Sequence, residues 1–298
     1  MAALTVFVPR LNDELWDAQQ LVVIWHQVEQ AGDGAEVSFD FSRCGFLRPN
    51  AVAFLGGLAR LIQHRGGKVL LLSATLSGAV RANLHQNGFA HAMGADTPAW
   101  QGNAIPYQEY LTEDKDKIIE SLKRDWLGRG WINLSPELAN RISGQTWEIF
   151  ANAFEHSKTP VGVFCCGQYM PKRKELLLAV ADFGVGIPSN VRIYLQNPSM
   201  SACDAMCWAF TGGHTTQPQQ TFPRGLGLEL LKTFVRKANG VMRVFSHDGR
   251  AKIDPQGETY ENTESFFEGT LVQIRLLCDD KHYMLSEESA ENNETPFF

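Results

Sequence analysis

The order of strand-like and helix-like segments along the chain constrains its fold more than any other feature. Over the first 95 residues, runs of β-branched and aromatic residues alternate with segments in which apolar residues recur at helical spacing. This alternation predicts a small α/β domain at 1–95. Strands are predicted at 4–8, 35–41 and 68–72, and helices at 13–30, 51–64 and 77–86.

A second domain is predicted at 131–278, where the elements follow a different order. Ser135 as the N-cap and Pro136 at the first helical position predict a long helix that reaches residue 157. The pattern then predicts an antiparallel hairpin, short helices, a further helix and two strands. The hairpin lies at 161–169 and 175–182, the further helix at 226–238, and the strands at 241–246 and 269–276. We expect an α/β fold in both domains.

Two other segments flank the second domain. Residues 96–130 are interpreted as a connector, because periodicity lapses at 96–112 and a charged, exposed helix is predicted at 113–126. Residues 279–298 are polar and acidic without an apolar period, which predicts a disordered tail. This tail holds six carboxylates and one lysine, so it supplies most of the chain's net charge of −6.

Charge and hydropathy limit the classes of partner. The folded part of the chain has no basic cluster beyond 172–174, so nucleic acid is not expected as a partner. The start does not resemble a secretory signal, and the longest apolar stretches fall far short of the ~20 residues of a membrane span. The six cysteines lack C-x-x-C spacing, which favours reduced thiols in a cytoplasmic protein that does not contact a membrane.

The long helix carries a first group of candidate site residues. Glu148 and Asn152 are four residues apart and share a face, and His156 lies one turn further on. A glutamate can take a proton from water or from a hydroxyl, and an amide oxygen can ligate Mg²⁺. On its own, such a pair more often forms the solvent-exposed face of an amphipathic helix.

A second group follows the apolar strand 176–181, which ends in Asp182. A carboxylate at the end of a hydrophobic strand can accept a hydrogen bond from an exocyclic amine such as that of adenine. Gly184 and Gly186 follow, and without a Cβ their backbone can approach a planar ligand closely. Taken alone, this segment would be read as an ordinary turn.

A third group opens the helix predicted at 226–238. Gly225 and Gly227 at a helix start leave free N–H groups and the positive end of the helix dipole facing an anion. The preceding stretch, 211–223, is rich in Gly, Thr, Gln and Pro and could close as a lid. The chain has neither the third glycine of a dinucleotide fingerprint nor a P-loop motif. Alone, this segment would be a helix start without a ligand.

Together the three segments closely resemble the GHKL ATPase family, which includes gyrase, the heat-shock ATPase chaperones, MutL, histidine kinases and anti-sigma factor serine kinases. EIFANAFEH resembles the family's N box, DFGVGI its first glycine box, RGLGLELL its second and EGT its last, in the family's order. The resemblance covers about 131–278. It implies a Bergerat-fold α/β sandwich, with helices on one face of a mixed, largely antiparallel sheet, that binds ATP and Mg²⁺.

The resemblance also implies a role for each matching residue. Glu148 would be the catalytic base, and Asn152 would hold Mg²⁺. Asp182 would bind adenine, with Thr270 supporting it through water. The other residues implied to contact the nucleotide are His156, Gly184, Gly186, Ile187, Arg224, Gly225, Leu226, Gly227 and Leu228.

The first domain has a weaker resemblance of its own. VSFDFSRCGFLRPNAVAFLGGLARLIQHRGGKVLLL, followed by VRANLHQNGF, is similar to STAS domains, the anti-anti-sigma fold. Phosphorylatable STAS domains have an Asp-Ser-Ser-Gly-like turn before the helix, where this chain has Arg48-Pro49-Asn50-Ala51 and no hydroxyl. A STAS-like domain of this kind is expected to dock partners or to self-associate, for example as a homodimer.

The function predicted from these features is that of an ATP-binding regulatory protein. No histidine lies in 113–126, and none in the first domain precedes an acidic residue in the way a phosphoacceptor would, so autophosphorylation on His is not expected. No transducer domain is expected after residue 278. The leading hypothesis is an anti-sigma-like serine/threonine kinase or ATPase switch acting on a STAS-like or sigma-factor-like partner protein. The alternative is a nucleotide-dependent protein-interaction module, and Glu148 does not separate kinase from ATPase.

Overall fold

The computed structural model describes residues 3–11, 15–97, 99–100, 102–155, 158–214 and 227–288. Within these residues the protein is a mixed α/β structure, as predicted, with strands in three sheets. No helix in the described part of the chain is long and apolar enough to cross a bilayer.

The first sheet is formed by three parallel strands in the order β1-β2-β3. Helices connect these strands, so the alternation predicted for 1–95 is confirmed. The elements are β1 (Ala3–Phe7), α1 (Leu15–Ala31), β2 (Glu36–Asp40), α2 (Pro49–His64), β3 (Lys68–Leu71), α3 (Gly78–Gln86) and α4 (Phe89–Ala92).

The second sheet is formed by five antiparallel strands in the order β4-β6-β7-β9-β8. Its strands are β4 (Ala104–Tyr110), β6 (Val163–Met170), β7 (Glu175–Asp182), β8 (Val241–Asp254) and β9 (Gly257–Leu277). The helices of this half are α5 (Lys115–Ser121), which continues as a π-helical turn at Leu122–Leu127, α6 (Pro136–Glu155), α7 (Gly186–Tyr194), α8 (Ala202–Phe210) and α9 (Gly227–Lys237).

The edge strand β4 differs from the sequence prediction, which treats this stretch as part of a connector without periodicity. It pairs with β6, but the register shifts between Ile105 and Gln108. At this irregularity the amide of Tyr107 donates to the carbonyl of Asn87 at the end of α3 instead of to a strand. The bulge breaks the two-residue alternation, so the sequence shows no strand period.

The five-stranded sheet has a buried layer on each face. Alternate residues of β7, such as Leu178 and Val180, join a core with α6 and α9. The intervening residues, such as Ala179 and Ala181, join a different core with α1 and α2. The sheet is therefore covered by helices of the second half on one side and by the N-terminal unit on the other.

Helix α2 lies between the two large sheets. It packs against β3 on one side and against β6 and β7 on the other, and thirteen of its sixteen residues are buried. Gly56 and Gly57 allow the close approach: a Cβ on Gly56 would lie 2.1 Å from the hydroxyl of Tyr107, and one on Gly57 would lie 2.3 Å from the ring of Phe183. The two domains predicted from the sequence thus share one hydrophobic core.

The helix predicted at 113–126 is present as α5 and its π-helical continuation, but it is not simply an exposed connector. Ile118 and Trp126 are completely buried and pack in the core shared with α6. Most charged residues of this segment face outward, with buried Asp125 as an exception, and their number hides the apolar stripe in the composition.

The beginning of the acidic tail is ordered, in contrast to the predicted disorder of 279–298. β10 (His282–Tyr283) pairs in parallel with β5 (Asn133–Leu134), and Tyr283 is completely buried. The hydroxyl of Ser135 donates to the carboxylate of Glu288 at 2.7 Å. Tyr283 and Leu285 explain this order, because they fill the core that α6 shares. Residues 289–298 lie outside the described part.

Candidate functional site

A row of three polar side chains crosses the antiparallel sheet at one end. Asp182 on β7 is paired in register with Thr270 on β9, and Thr270 is paired with Ser246 on β8. The three residues are 3%, 9% and 0% exposed. By the alternation of side chains along a strand, they share the face of Val180, which is the face covered by α6 and α9. Three polar groups buried beside an apolar core mark this end of the sheet as a candidate site.

The backbone that follows β7 is tied to this row. One carboxylate oxygen of Asp182 accepts from the amide of Gly184 at 3.0 Å. The hydroxyl of Ser246 accepts from the amide of Ile187 at 2.9 Å and donates to the carbonyl of Gly269 at 2.7 Å. The segment 183–187 is therefore held against Ser246 of β8, beside Gly269 of β9, at the point where β7 ends.

Ser246 was not among the residues singled out from the sequence. It ends the strand predicted at 241–246, as Asp182 ends the strand predicted at 175–182. The sequence signal that could identify Ser246 is a polar residue at the end of an apolar strand. Its hydroxyl lies 3.2 Å from that of Thr270, so it joins the two strands at the point where the predicted site residues meet.

Two glycines of the site are required by their backbone and surroundings. Gly186 has a φ of +71°, and a Cβ there would lie 2.7 Å from the ring of His247 and 2.8 Å from the hydroxyl of Ser246. Gly269 has a φ of +139°, and a Cβ there would lie 2.3 Å from the carbonyl oxygen of Asp182. At Gly186 the absent Cβ leaves room for His247 and Ser246, whereas the sequence pattern predicts that this space serves a planar ligand.

His247 also holds the loop 183–187 in place. Its Nε2 lies 2.7 Å from the carbonyl oxygen of Val185, which can only accept, so Nε2 carries the proton. Burial lowers the pKa of His247, although the hydrogen bond to Val185 and the carboxylates of Asp248 and Glu268 oppose this shift. The ring is therefore neutral at pH 7 and acts as a structural donor to the loop.

Glu148 and Asn152 lie on α6 as predicted. Glu148 is half-buried and Asn152 is exposed, whereas their neighbours Ile149, Phe150 and Ala153 are buried in the core. The helix thus presents these two side chains away from its packing stripe. It covers the same face of the sheet on which Asp182 lies.

The third predicted segment is described only in part. Gly227 is the first residue of α9, which packs against α6. Leu228 and Ile187 are half-buried against the same core as Phe154 of α6. The structure therefore gathers parts of all three predicted segments around one core. His156, Arg224, Gly225 and Leu226 lie outside the described residues.

A buried lysine joins the two ends of the segment between α8 and α9. Lys232 is 3% exposed, and its ammonium group donates to the carbonyl of Phe210, the last residue of α8, at 3.0 Å. It also pairs with Glu229 at 2.8 Å and with Glu258 at 3.0 Å. Burial raises the pKa of Glu258, but hydrogen bonds from Tyr260 and Lys232 outweigh this effect and lower it. Lys232 thus ties the last residue of α8 to helix α9.

The side chains in the described part of the site that could bind a metal ion are few. Among the described residues, no group of three or more His, Cys, Asp or Glu side chains could hold a metal. Glu148 and Asn152 offer oxygen atoms of the kind that Mg²⁺ prefers, and proteins commonly bind Mg²⁺ through one or two side chains together with substrate phosphates. These residues fit a Mg²⁺ ion that arrives with a phosphate ligand.

Compared with known proteins, this chain matches no family model and no curated protein. The resemblances to the GHKL family and to STAS domains therefore stay predictions, and the function has to be inferred from the geometry of the site.

Proposed function

We propose that the protein is an ATP-binding regulatory protein of the GHKL type, in which ATP binds over the polar row Asp182, Thr270 and Ser246. The observation that carries this proposal is the buried carboxylate of Asp182 at the end of an apolar strand, with the glycine-containing loop 183–187 held over it. A carboxylate in apolar surroundings selects a hydrogen-bond donor, which the exocyclic amine of adenine provides.

The architecture supports the same proposal. A Bergerat-fold sandwich has helices on one face of a largely antiparallel sheet, and here α6 and α9 cover one face of five antiparallel strands. The polar row, the pair on α6 and the start of α9 all belong to that face. The N-terminal unit packs on the opposite face, so it does not cover the proposed nucleotide site.

The chemistry proposed for each residue follows from its position. ATP supplies a phosphoryl group and, with Mg²⁺, the charge that the site must balance. Asp182 orients the adenine, and the hydroxyl of Thr270 supports it. Asn152 contributes an amide oxygen toward Mg²⁺, and Glu148 takes the proton from the attacking hydroxyl. That hydroxyl belongs to water in an ATPase and to a serine or threonine of a partner protein in a kinase.

A second candidate function is a nucleotide-dependent protein-interaction module with little or no phosphotransfer. The observation that favours it is the contact of Phe183, inside the glycine-containing loop, with Phe54 of α2. A change in this loop on nucleotide binding would be passed to the N-terminal unit through packed side chains. The N-terminal unit would then present a partner surface, for a STAS-like or sigma-factor-like protein or for a second copy of the chain, in a nucleotide-dependent way.

Glu148→Gln separates the two functions. The substitution keeps size and hydrogen bonding but removes the base. ATP hydrolysis and phosphotransfer to co-purifying proteins are measured with γ-labelled ATP, beside nucleotide-dependent partner capture. Loss of turnover together with loss of nucleotide-dependent partner capture supports the kinase or ATPase. Loss of turnover with intact nucleotide-dependent capture supports the interaction module. If the wild type and Glu148→Gln turn over ATP at equal rates, Glu148 is not the catalytic base.

A further inference from the structure

A second candidate binding site lies on the other face of the antiparallel sheet. A cavity of about 120 Å³ separates the start of α2 from the strands β7, β8 and β9. From α2 it is lined by Arg48 and Asn50, and from the sheet by Arg243, Gln273 and Arg275. Arg275 is paired in register with Leu177, and Gln273 with Ala179, so these residues lie toward the opposite end of the strands from Asp182.

The start of α2 points positive charge into this cavity. Pro49 is the first helical residue, no acidic residue lies in the first turn, and Arg48 at the N-cap position makes no capping hydrogen bond with its side chain. The positive end of the helix dipole is therefore not balanced by a carboxylate of its own first turn. A helix start alone does not define a site, and two further observations point to a ligand.

The first observation is a pair of buried amide donors without partners. Asn50 is completely buried, and its Oδ1 accepts from the amide of Ala51 at 2.7 Å. Its Nδ2 makes no hydrogen bond, and neither does Nε2 of Gln273 across the cavity. A buried donor without a partner costs free energy, so both groups favour a ligand that supplies acceptor oxygens.

The second observation is the balance of charge. Four arginines line the cavity against one carboxylate, Glu175. Glu175 already pairs with Arg275 at 3.1 Å and with Arg173 at 3.8 Å. Because the arginines of the lining outnumber its one carboxylate four to one, the lining carries a net positive charge and favours an anion.

The size of the cavity limits the anion to a small one. Pockets for drug-sized ligands enclose about 300–1,000 Å³, which is well above this volume. The side chain of Arg173 is 59% exposed and lies where the cavity meets solvent. A single tetrahedral oxyanion that enters past Arg173 matches the volume, the charge and the unpartnered donors.

We propose that this cavity binds a phosphate group through Asn50, Gln273 and the arginines around them, either as free inorganic phosphate or as a phosphorylated side chain. Its lining comes from both the N-terminal unit and the antiparallel sheet, so an occupant bridges the two. The proposal stands independently of the proposed nucleotide site, which lies on the opposite face of the sheet.

The test compares inorganic phosphate and O-phosphoserine as ligands, with chloride at matched ionic strength as the blank, by isothermal titration calorimetry on the full chain. Asn50→Asp keeps the acceptor for the amide of Ala51 but replaces the free donor by a negative charge. Asn197→Asp is the matched control, because that exposed residue likewise accepts a local hydrogen bond, from Ser199. Gln273→Glu is the second variant, should Asn50→Asp not fold as judged by circular dichroism.

We expect saturable phosphate binding by the wild type and by Asn197→Asp, with affinity reduced about tenfold or more in Asn50→Asp or Gln273→Glu. Tighter binding of O-phosphoserine supports a phosphorylated side chain as the occupant, and tighter binding of inorganic phosphate supports the free ion. Asp182→Asn should bind phosphate as the wild type does. Absence of saturable binding, unchanged affinity in the folded cavity variants, or loss of binding in Asp182→Asn would overturn the proposal.

Discussion

The rings of Phe183 and Phe54 lie 5.2 Å apart, so a residue of the loop after β7 packs directly on helix α2 of the N-terminal unit. Phe183 stands between Asp182 and Gly184, the two residues joined by the first hydrogen bond of the loop. Both rings also contact Phe267 of β9. The proposed nucleotide site and the N-terminal unit therefore share a single aromatic cluster, and a disturbance of one reaches the other through close packing.

Gly57→Ala tests this packing. The new Cβ would lie 2.3 Å from the ring of Phe183 and 2.6 Å from that of Phe164. Overpacking of a core typically costs about 1–3 kcal/mol, which outweighs the gain of up to ~1 kcal/mol in helix propensity. We expect a lower free energy of unfolding in urea. Gly144→Ala on α6 is the control, since a Cβ there meets nothing within 4 Å and should stabilise the protein. Equal stability of the two variants would contradict the close contact.

The sandwiched position of α2 could have been predicted from the sequence. Between Ala51 and Ala59 every residue is apolar or glycine, so the helix has no polar face. A helix that is apolar all round is buried on all sides. The order of strands and helices in the N-terminal unit follows from local periodicity, whereas the contact of α2 with the second sheet follows from the absence of a polar face on the helix.

Lys232→Met tests the anchor between α8 and α9. The substitution leaves Glu258 with Arg236 and Tyr260 but without its most buried partner, and it leaves the carbonyl of Phe210 without its donor. Removal of one member of a buried ion pair costs about 3–5 kcal/mol, and the remaining partners of Glu258 place this case at the lower end. Lys237→Met, on the same helix but exposed, should change the free energy of unfolding little. A cost below ~1 kcal/mol for Lys232→Met would show that the anchor is weak.

His247 predicts a dependence of stability on pH. Its pKa is lowered by burial in the folded state, with Arg192 acting in the same direction and Val185, Asp248 and Glu268 opposing. A lowered histidine pKa means that protons bind the unfolded chain more readily, so stability is full above pH 6.5 and falls as the pH drops below that value.

The measurement is the free energy of unfolding between pH 7.5 and 5.5 for the wild type and for His247→Asn. The variant lacks the titrating ring, so its stability should fall less over this range, although it starts lower because the bond to Val185 is lost. Parallel pH profiles for the two proteins would remove His247 as the source of the dependence.

Mg²⁺ should stabilise the protein only together with ATP. The described residues contain no cluster of acidic, His or Cys side chains that could hold the ion by themselves, and Mg²⁺ sites of this kind rely on phosphate oxygens. We expect no change in melting temperature with MgCl₂ alone and a rise with MgCl₂ plus ATP. Asn152→Ala should reduce the additional effect of Mg²⁺ over ATP alone. A saturable shift with Mg²⁺ alone that Asn152→Ala abolishes would contradict this donor set.

Some residues of the site could be predicted from the sequence, and others could not. Asp182 and its glycines were found because a polar residue closes an uninterrupted apolar strand. His247 was missed because the register of β8 shifts around it, which hides its role behind a break in the strand pattern. The same shift ended the predicted strand at residue 246, whereas β8 continues to Asp254. Lys232 was missed because a lysine on an amphipathic helix ordinarily faces solvent.

Direct titration with ATP in the presence of Mg²⁺ tests whether a nucleotide binds over Asp182. Asp182→Asn keeps the acceptor for the amide of Gly184 but removes the charge that would receive the adenine amine. Asp116→Asn, on the exposed start of α5, is the control. We expect saturable binding by the wild type and by Asp116→Asn, and a loss of about tenfold or more in Asp182→Asn, the value of one charge-assisted hydrogen bond. No ATP binding by the folded wild type, or equal affinity in Asp182→Asn, would contradict the proposed site.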